Sequence, residues 1–153
     1  IQAIGQQMTP AEALPASAQV EPRPGLRNCR VLVADADDAV RGAAHNLLER
    51  YGCIVETAHE GGEAIFMVRN SREHRYNVII SDVRLPDMTG HELLLQLQQI
   101  IATVPLVLMT GFGYDPGHSI VKARQAGLAA NAILYKPFRL DQLLSVVEEI
   151  AEK

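Results

Sequence analysis

Five short apolar runs alternate with five amphipathic stretches from residue 30 to the carboxyl terminus. The amphipathic stretches space their apolar residues three and four positions apart, as helices do, whereas the runs have the length and composition of buried strands. The predicted strands are Arg30–Ala34, Cys53–Ala58, Tyr76–Ser81, Pro105–Met109 and Ala132–Tyr135. The predicted helices begin near Val40, Gly62, Gly90, Ser119 and Arg139, and glycines at 52 and 127 end two of them. This alternation predicts parallel βαβ units in an α/β fold, a doubly wound sandwich with helices on both faces of one sheet.

The bulk properties indicate one domain preceded by a linker. The 153 residues suffice for one domain with a core, and four of the eight prolines fall within residues 1–28, which we interpret as a flexible linker before a domain at 29–153. The net charge of −4 gives no basis for nucleic-acid binding, and no apolar run is long enough for a membrane span. Two cysteines, Cys29 and Cys53, are too few for a disulfide framework, which favours a cytoplasmic location. The first residue, Ile1, suggests a fragment of a longer protein.

Polar residues follow several of the predicted strands. Asp82 ends the third strand, Asp35 and Asp37 follow the first, Thr110 follows the fourth and Lys136 follows the fifth. A lone aspartate at such a position most often caps a turn. In an open α/β sheet, however, the carboxyl ends of the strands meet at one edge, so we expect these side chains to share a site.

The chemistry of this set indicates phosphoryl transfer to a carboxylate. Clustered carboxylates require a cation, and Mg²⁺ (or Mn²⁺) takes few carboxylates and completes its shell with water and phosphate oxygens. Lys136 supplies a positive charge, Thr110 a hydroxyl donor, and the Gly111 backbone an amide that an anion can approach. No glycine-rich nucleotide-binding motif is present. We therefore expect Asp82 to act as a nucleophile towards phosphate.

Four segments in fixed order, VLVADADDAVR, IISDVRLPDMTG, PLVLMTGFG and ILYKPF, resemble the response regulator receiver domain of two-component signalling. The resemblance covers about residues 28–153. It implies a flavodoxin-like (βα)5 fold with strand order 2-1-3-4-5 and phosphorylation of Asp82. It also implies that Thr110 moves to bind the phosphoryl group, that Lys136 pairs with that group, and that the Lys136–Pro137 peptide bond is cis. The resemblance further implies a Mg²⁺ site formed by Asp35, Asp82 and the Arg84 carbonyl, with the backbone of Arg84 and Gly111 facing the phosphoryl group.

Two positions depart from the family pattern. Receiver domains usually carry two adjacent acids after the first strand, whereas this chain has Asp35 followed by Ala36. The missing carboxylate is expected to weaken Mg²⁺ binding, unless Asp37 or Asp38 replaces it, since strand alternation puts Asp35 and Asp37 on the same side. The other departure is Ile133, where the family often carries an aromatic switch residue.

Two other functions are compatible with the same residues. A degenerate receiver would keep the fold and bind partners without phosphorylation, and Ala36 favours it. Asp35 and Asp37 also mimic the DxD motif of haloacid-dehalogenase-type phosphatases, although no cap domain or late acidic pair accompanies them.

The resemblance implies a particular signalling context. We expect no enzyme activity of this chain beyond its own phosphorylation at Asp82, and a histidine kinase domain or a histidine phosphotransfer protein as the partner. The linker and the domain order resemble the C-terminal receiver of a hybrid sensor histidine kinase, whose parent chain can be membrane-attached. We expect no nucleic-acid or membrane contact by this domain, and a homodimer through the face from the fourth to the last helix is a further prediction.

Overall fold

The structure, a computed structural model, describes residues 23–71, 75–111, 118–137 and 139–152. Five strands and five α-helices alternate strictly along these segments. The strands are β1 (Arg30–Ala34), β2 (Ile54–Ala58), β3 (Val78–Asp82), β4 (Leu106–Gly111) and β5 (Ile133–Lys136). The helices are α1 (Asp38–Arg50), α2 (Gly61–Arg69), α3 (Gly90–Leu97), α4 (Ser119–Gln125) and α5 (Leu140–Ala151).

The strands form one parallel sheet in the order β2-β1-β3-β4-β5. This order confirms the predicted doubly wound, flavodoxin-like fold. The chain moves outward from β1 to β2 and then in the opposite direction from β2 to β5, so right-handed crossovers put α1 on one face and α2, α3 and α4 on the other. The direction in which successive strands are added reverses between β1 and β3. In such sheets, ligands bind beside this point, outside the carboxyl ends of the strands.

Burial explains why these segments form a sheet covered on both faces. Every residue of β3 before Asp82 is buried, and the same is true of β4 before Gly111. In β2, by contrast, Ile54 and Glu56 are exposed, because β2 lies at the edge of the sheet. The core therefore runs along β1, β3 and β4 and is closed by the leucines of the helices.

The helix ends follow from local sequence. Asp37 caps α1 through its carboxylate, and Thr89 with Glu92 forms a reciprocal capping box on α3. Helix α3 ends at Leu97, because the following residues make the tighter bonds of a 3₁₀ turn, from Gln99 N to Gln96 O and from Ile100 N to Leu97 O.

The residues before β1 belong to the packed domain. A 3₁₀ turn spans Pro24–Leu26, the Leu26 side chain is fully buried, and Arg23 donates to Glu148 of α5 at 2.9 Å. These residues lie in the predicted linker, residues 1–28, because one leucine among prolines gives no periodic signal. Leu26 and Arg23 thus pack against the domain in the structure. Residues 1–22 of the predicted linker lie outside the described residues.

Candidate functional site

Lys136 joins two carboxylates at the carboxyl edge of the sheet. Its Nζ atom donates to Asp35 Oδ2 at 2.8 Å and to Asp82 Oδ2 at 3.3 Å. The three residues come from the ends of β1, β3 and β5, which are far apart in sequence. The structure thus brings together the two acids and the lysine that the sequence analysis selected.

The two carboxylates differ in access to solvent. The Asp35 side chain is 2% exposed, whereas that of Asp82 is 19% exposed. Asp35 also accepts a hydrogen bond from Asp37 N at 2.8 Å through its other oxygen, so both of its oxygens are occupied. Among the described residues, the contact of Asp82 Oδ1 is a long one of 3.5 Å with Arg84 N. Asp82 is therefore the carboxylate placed to react with a group from solvent.

The charges of the site act on one another. Burial raises the pKa of Asp82, and the neighbouring Asp35 charge adds to the rise, while Lys136 opposes it. Burial alone would lower the pKa of Lys136, but its hydrogen bond with Asp35 and the charges of both acids outweigh burial, and the pKa is raised. The two neighbouring carboxylates thus keep Lys136 protonated.

Thr110 and Gly111 end β4 beside the acids. Thr110 is buried, and its hydroxyl donates to the Gly111 carbonyl at 3.0 Å. Gly111 is opposite Lys136 in the register of β4 and β5, and no described residue other than its chain neighbours lies within 4 Å of a Cβ atom placed there. The Lys136–Pro137 peptide bond is cis in the structure.

The acids after Asp35 are engaged with α1. The Asp37 carboxylate accepts from Ala39 N at 2.8 Å, and Asp38 forms a salt bridge with Arg41. Within residues 23–71, 75–111, 118–137 and 139–152, no group of three His, Cys, Asp or Glu residues could hold a metal ion. The structure therefore does not bring Asp37 into a cluster with Asp35 and Asp82.

Sequence reasoning missed Arg41, which packs against the acidic site. Its guanidinium Nη1 donates to the backbone carbonyl of Asp35 at 2.5 Å, and its side chain is 18% exposed. The basic residue one turn into α1, after a run of acids, was the signal in the sequence. Arg41 holds the chain where β1 passes into α1, directly beside the position of Ala36.

Asp87 is a second residue that sequence reasoning missed. It lies in the loop after Asp82, and its two oxygens accept from Gly61 N and Gly62 N at 2.8 Å each. The loop then enters α3 at Gly90, where an added Cβ atom would lie 2.6 Å from Leu108 Cδ2 and 3.3 Å from Val83 Cα. The loop that carries Asp82 and Arg84 is thus attached to α2 at one point and packed tightly against the sheet at another.

Comparison with known proteins agrees with this geometry. The sequence model of the response regulator receiver domain matches residues 31–148. The response regulator MprA of Mycobacterium ulcerans (strain Agy99) is 36% identical over 118 residues, which are 76% of this chain and 47% of that protein. The chain belongs to the response regulator receiver domain family. It spans about half the length of the curated relatives it matches, such as MprA of Mycobacterium avium (strain 104), of which it covers 48%.

Solved receiver structures share the fold. A putative response regulator from Chloroflexus aurantiacus J-10-fl superposes with a TM-score of 0.70 at 27% identity, over 83% of this chain and all (100%) of that one. The structure titled FixJ-N gives a TM-score of 0.69 at 27% identity, over 82% of this chain and 95% of that one. As a receiver domain, the chain has a role in two-component signalling. In the described part of the receiver, no helix combines the length and hydrophobicity that a membrane span requires.

Proposed function

We propose that this receiver accepts a phosphoryl group on Asp82 from the phosphohistidine of a histidine kinase domain or a histidine phosphotransfer protein. The observation that supports this most strongly is the geometry of the Lys136 ammonium, which contacts both Asp82 and the inner acid Asp35. Receiver domains interact with such histidine-bearing partners as a family. The proposed partner follows from the membership of this chain in the receiver family and from the proposed role of Asp82 as the phosphoryl acceptor.

In the proposed step, an Asp82 carboxylate oxygen attacks the phosphorus atom of the phosphohistidine. A new O–P bond forms, the N–P bond breaks, and the electron pair leaves with the imidazole nitrogen. Lys136 stands beside Asp82 and offsets negative charge on the transferred group. Asp35 keeps Lys136 in position and protonated, because its carboxylate is buried next to the ammonium.

The oxygen atoms of this site fit Mg²⁺. Asp35 and Asp82 are hard carboxylate ligands brought to one ammonium, and the Arg84 carbonyl belongs to the same loop as Asp82. When bound, Mg²⁺ (or Mn²⁺) would neutralise phosphoryl oxygens, and receiver domains generally bind Mg²⁺ for phosphorylation. With Ala36 in place of a carboxylate and Asp37 used as a helix cap, we propose that the metal is bound weakly.

Thr110 is the proposed switch residue. Its hydroxyl bonds to the neighbouring Gly111 carbonyl in this structure, and rotation would turn it towards a phosphoryl group on Asp82. We propose that the backbone amides after Asp82 and Thr110, at Arg84 and Gly111, face that group. Ile133 begins β5 opposite Leu108 and is packed against the core, so coupling to an aromatic ring at this position does not apply.

We also propose where the receiver is located and what it contacts. We place it in the cytoplasm, where histidine kinases hold their phosphohistidine, and as the C-terminal receiver of a hybrid sensor histidine kinase. The exposed Val121 of α4 and Tyr135 of β5 would contribute to a homodimer through the face from α4 to α5. We expect this domain itself to make no contact with nucleic acid or membrane.

Intact mass after incubation with acetyl phosphate tests the acceptor. We expect a phosphoryl adduct that depends on Mg²⁺, is lost in Asp82→Asn and persists in Asp141→Asn, an acid on the exposed side of α5. Mass is the readout of choice because the chain has no Trp to report binding by fluorescence. An adduct that persists in Asp82→Asn and disappears in Asp35→Asn would instead favour the phosphatase-like use of Asp35 and Asp37.

A substitution at Ala36 tests the proposal that Mg²⁺ is bound weakly. Ala36→Asp restores the second carboxylate and should lower the Mg²⁺ concentration needed for half-maximal phosphorylation about tenfold, the effect of roughly 1.4 kcal/mol of added binding energy. Unchanged metal dependence would mean that another acid already supplies the missing ligand.

A degenerate receiver is the second candidate function. The absence of the carboxylate at position 36 and the engagement of Asp37 and Asp38 with α1 favour it. A folded protein that forms no adduct at any Mg²⁺ concentration, and forms one only as Ala36→Asp, would establish this function in place of the first.

A further inference from the structure

Cys29 and Cys53 lie side by side at the amino-terminal edge of the sheet. They immediately precede β1 and β2, whose register pairs Arg30 with Ile54, so the two cysteines are the next pair in that register. Ile54 N donates to the Cys29 carbonyl at 2.8 Å, which continues the parallel ladder through this pair. The pair is therefore held by backbone hydrogen bonds and not by chance contact.

Both thiols point to the same covered face. Side chains alternate along parallel strands, and Cys29 shares its face with the buried Val31, as Cys53 does with the buried Val55. Ile54, which lies between Cys53 and Val55 in the sequence, is exposed on the opposite face of the sheet. Neighbouring strands are roughly 4.7–4.9 Å apart, which lies within the Cα separation that a disulfide spans. The strand spacing thus allows the two sulfur atoms to approach each other.

The two thiols are also chemically different. Interaction with the Cys53 side chain lowers the pKa of Cys29, although burial opposes the change. The same contact, together with burial, raises the pKa of Cys53. Each residue is only 5% exposed, so a small oxidant is a better match to this site than a protein thiol. In such a pair, the thiol with the lower pKa, Cys29, would act as the nucleophile and Cys53 as the resolving thiol.

We propose that Cys29 and Cys53 form a dithiol–disulfide pair, a redox modification site at the end of the sheet opposite Asp82, oxidised by hydrogen peroxide. The Cys29 thiolate attacks one peroxide oxygen, the O–O bond breaks, and hydroxide leaves to give a sulfenic acid. The Cys53 sulfur then attacks the Cys29 sulfur, water leaves, and the S–S bond forms. The two sulfurs lose two electrons in total, and the peroxide is reduced to two molecules of water.

The cross-link would stabilise the folded receiver. It closes the segment from residue 29 to residue 53, which contains α1 and joins the interior strand β1 to the edge strand β2. Closing a loop of this length removes conformational freedom from the unfolded chain. We expect the oxidised protein to melt several degrees higher than the reduced protein, roughly 5 °C.

Peroxide treatment of the whole folded chain, followed by denaturation, thiol counting and intact mass, tests the proposal. The expected result is a monomer whose mass is lower by two hydrogen atoms, with no titratable thiol, restored by dithiothreitol. Cys29→Ser and Cys53→Ser should each prevent this product, and Cys53→Ser should leave a sulfenic acid on Cys29 that reacts with dimedone. Circular dichroism checks that each variant remains folded.

Three results would overturn the proposal. One is retention of both thiols under conditions that fully oxidise free cysteine, which would make the pair inert core residues. Another is oxidation only to disulfide-linked dimers. The third is an internal disulfide that lowers the melting temperature, because it would show that the native register does not accommodate the bond.

Discussion

At the scale of single residues, the ionised Asp82 destabilises the fold that presents it. Its pKa is raised, chiefly by burial, above the ordinary value of 3.8. A group whose pKa is higher in the folded chain contributes its stability below the unfolded pKa and loses that contribution as the pH rises through the folded pKa. The charge of Asp82 therefore lowers the stability of the folded receiver at neutral pH.

We expect Asp82→Asn to raise the free energy of unfolding at neutral pH, because an amide is less costly to bury than a carboxylate. The gain should shrink as the pH falls from neutral towards 3.8, where the wild-type carboxyl group becomes protonated. Urea unfolding followed by circular dichroism at several pH values measures the difference. A less stable Asp82→Asn protein at neutral pH would mean that the Lys136 contact outweighs the cost of burial.

At the scale of elements, Asp87 supplies the cap that α2 lacks. The residue before that helix, Glu60, makes no side-chain cap, and the first two N–H groups donate instead to the Asp87 carboxylate. Burial alone would raise the pKa of Asp87, but the hydrogen bonds from Gly62 and Gly61 outweigh it and the pKa is lowered. One side chain therefore connects the loop after β3 to a helix on the same face of the sheet.

Asp87→Ala should lower the free energy of unfolding by about 1 kcal/mol, the usual effect of removing a helix cap. The free energy of unfolding of Asp87→Asn should lie between those of the wild type and Asp87→Ala, since asparagine keeps one acceptor oxygen. A group with a lowered pKa contributes stability above its unfolded value of 3.8 and loses it as the pH falls through the folded pKa. The difference between the wild type and Asp87→Ala should therefore shrink in acid, where the protonated carboxyl group keeps one acceptor oxygen. Urea titrations at neutral and acidic pH check this, and a constant difference would show that the carboxylate charge is irrelevant.

At the scale of the whole molecule, the domain includes chain on the amino-terminal side of its first strand. Leu26 is fully buried, and the 3₁₀ turn that carries it packs against α5, where Arg23 pairs with Glu148. The first and last described segments of the receiver are thereby joined. A chain that begins at residue 29 would expose part of the face of α5.

Leu26→Ala should destabilise the receiver by about 2–3 kcal/mol, the loss expected for a buried leucine. The matched control is Leu95→Ala on α3, because that side chain is 42% exposed and should change stability little. Thermal and urea unfolding measure both variants. Equal effects of the two substitutions would mean that residues before β1 contribute nothing to the folded domain.

The sequence by itself determined the fold and its candidate site to a large extent. The alternation of apolar runs with helical spacing predicts five parallel βαβ units, since burial on both faces leaves few other architectures for such runs. Strand ends meet at one edge, so Asp35, Asp82 and Lys136 could be selected before their contacts were known. Local signals also predicted helix ends. Gly52, which was predicted to end the first helix, has a positive φ of 93° in the structure.

Only the tertiary structure decided which groups are actually used. It assigned Asp37 to capping α1, placed Arg41 against the Asp35 carbonyl, and gave Asp87 to the end of α2. It also paired Cys29 with Cys53, which are 24 positions apart, through the register of two strands. These choices depend on which surfaces approach one another through space. Residue spacing along one chain carries information about periodic burial, but it does not encode which of several acids reaches a given hydrogen-bond donor.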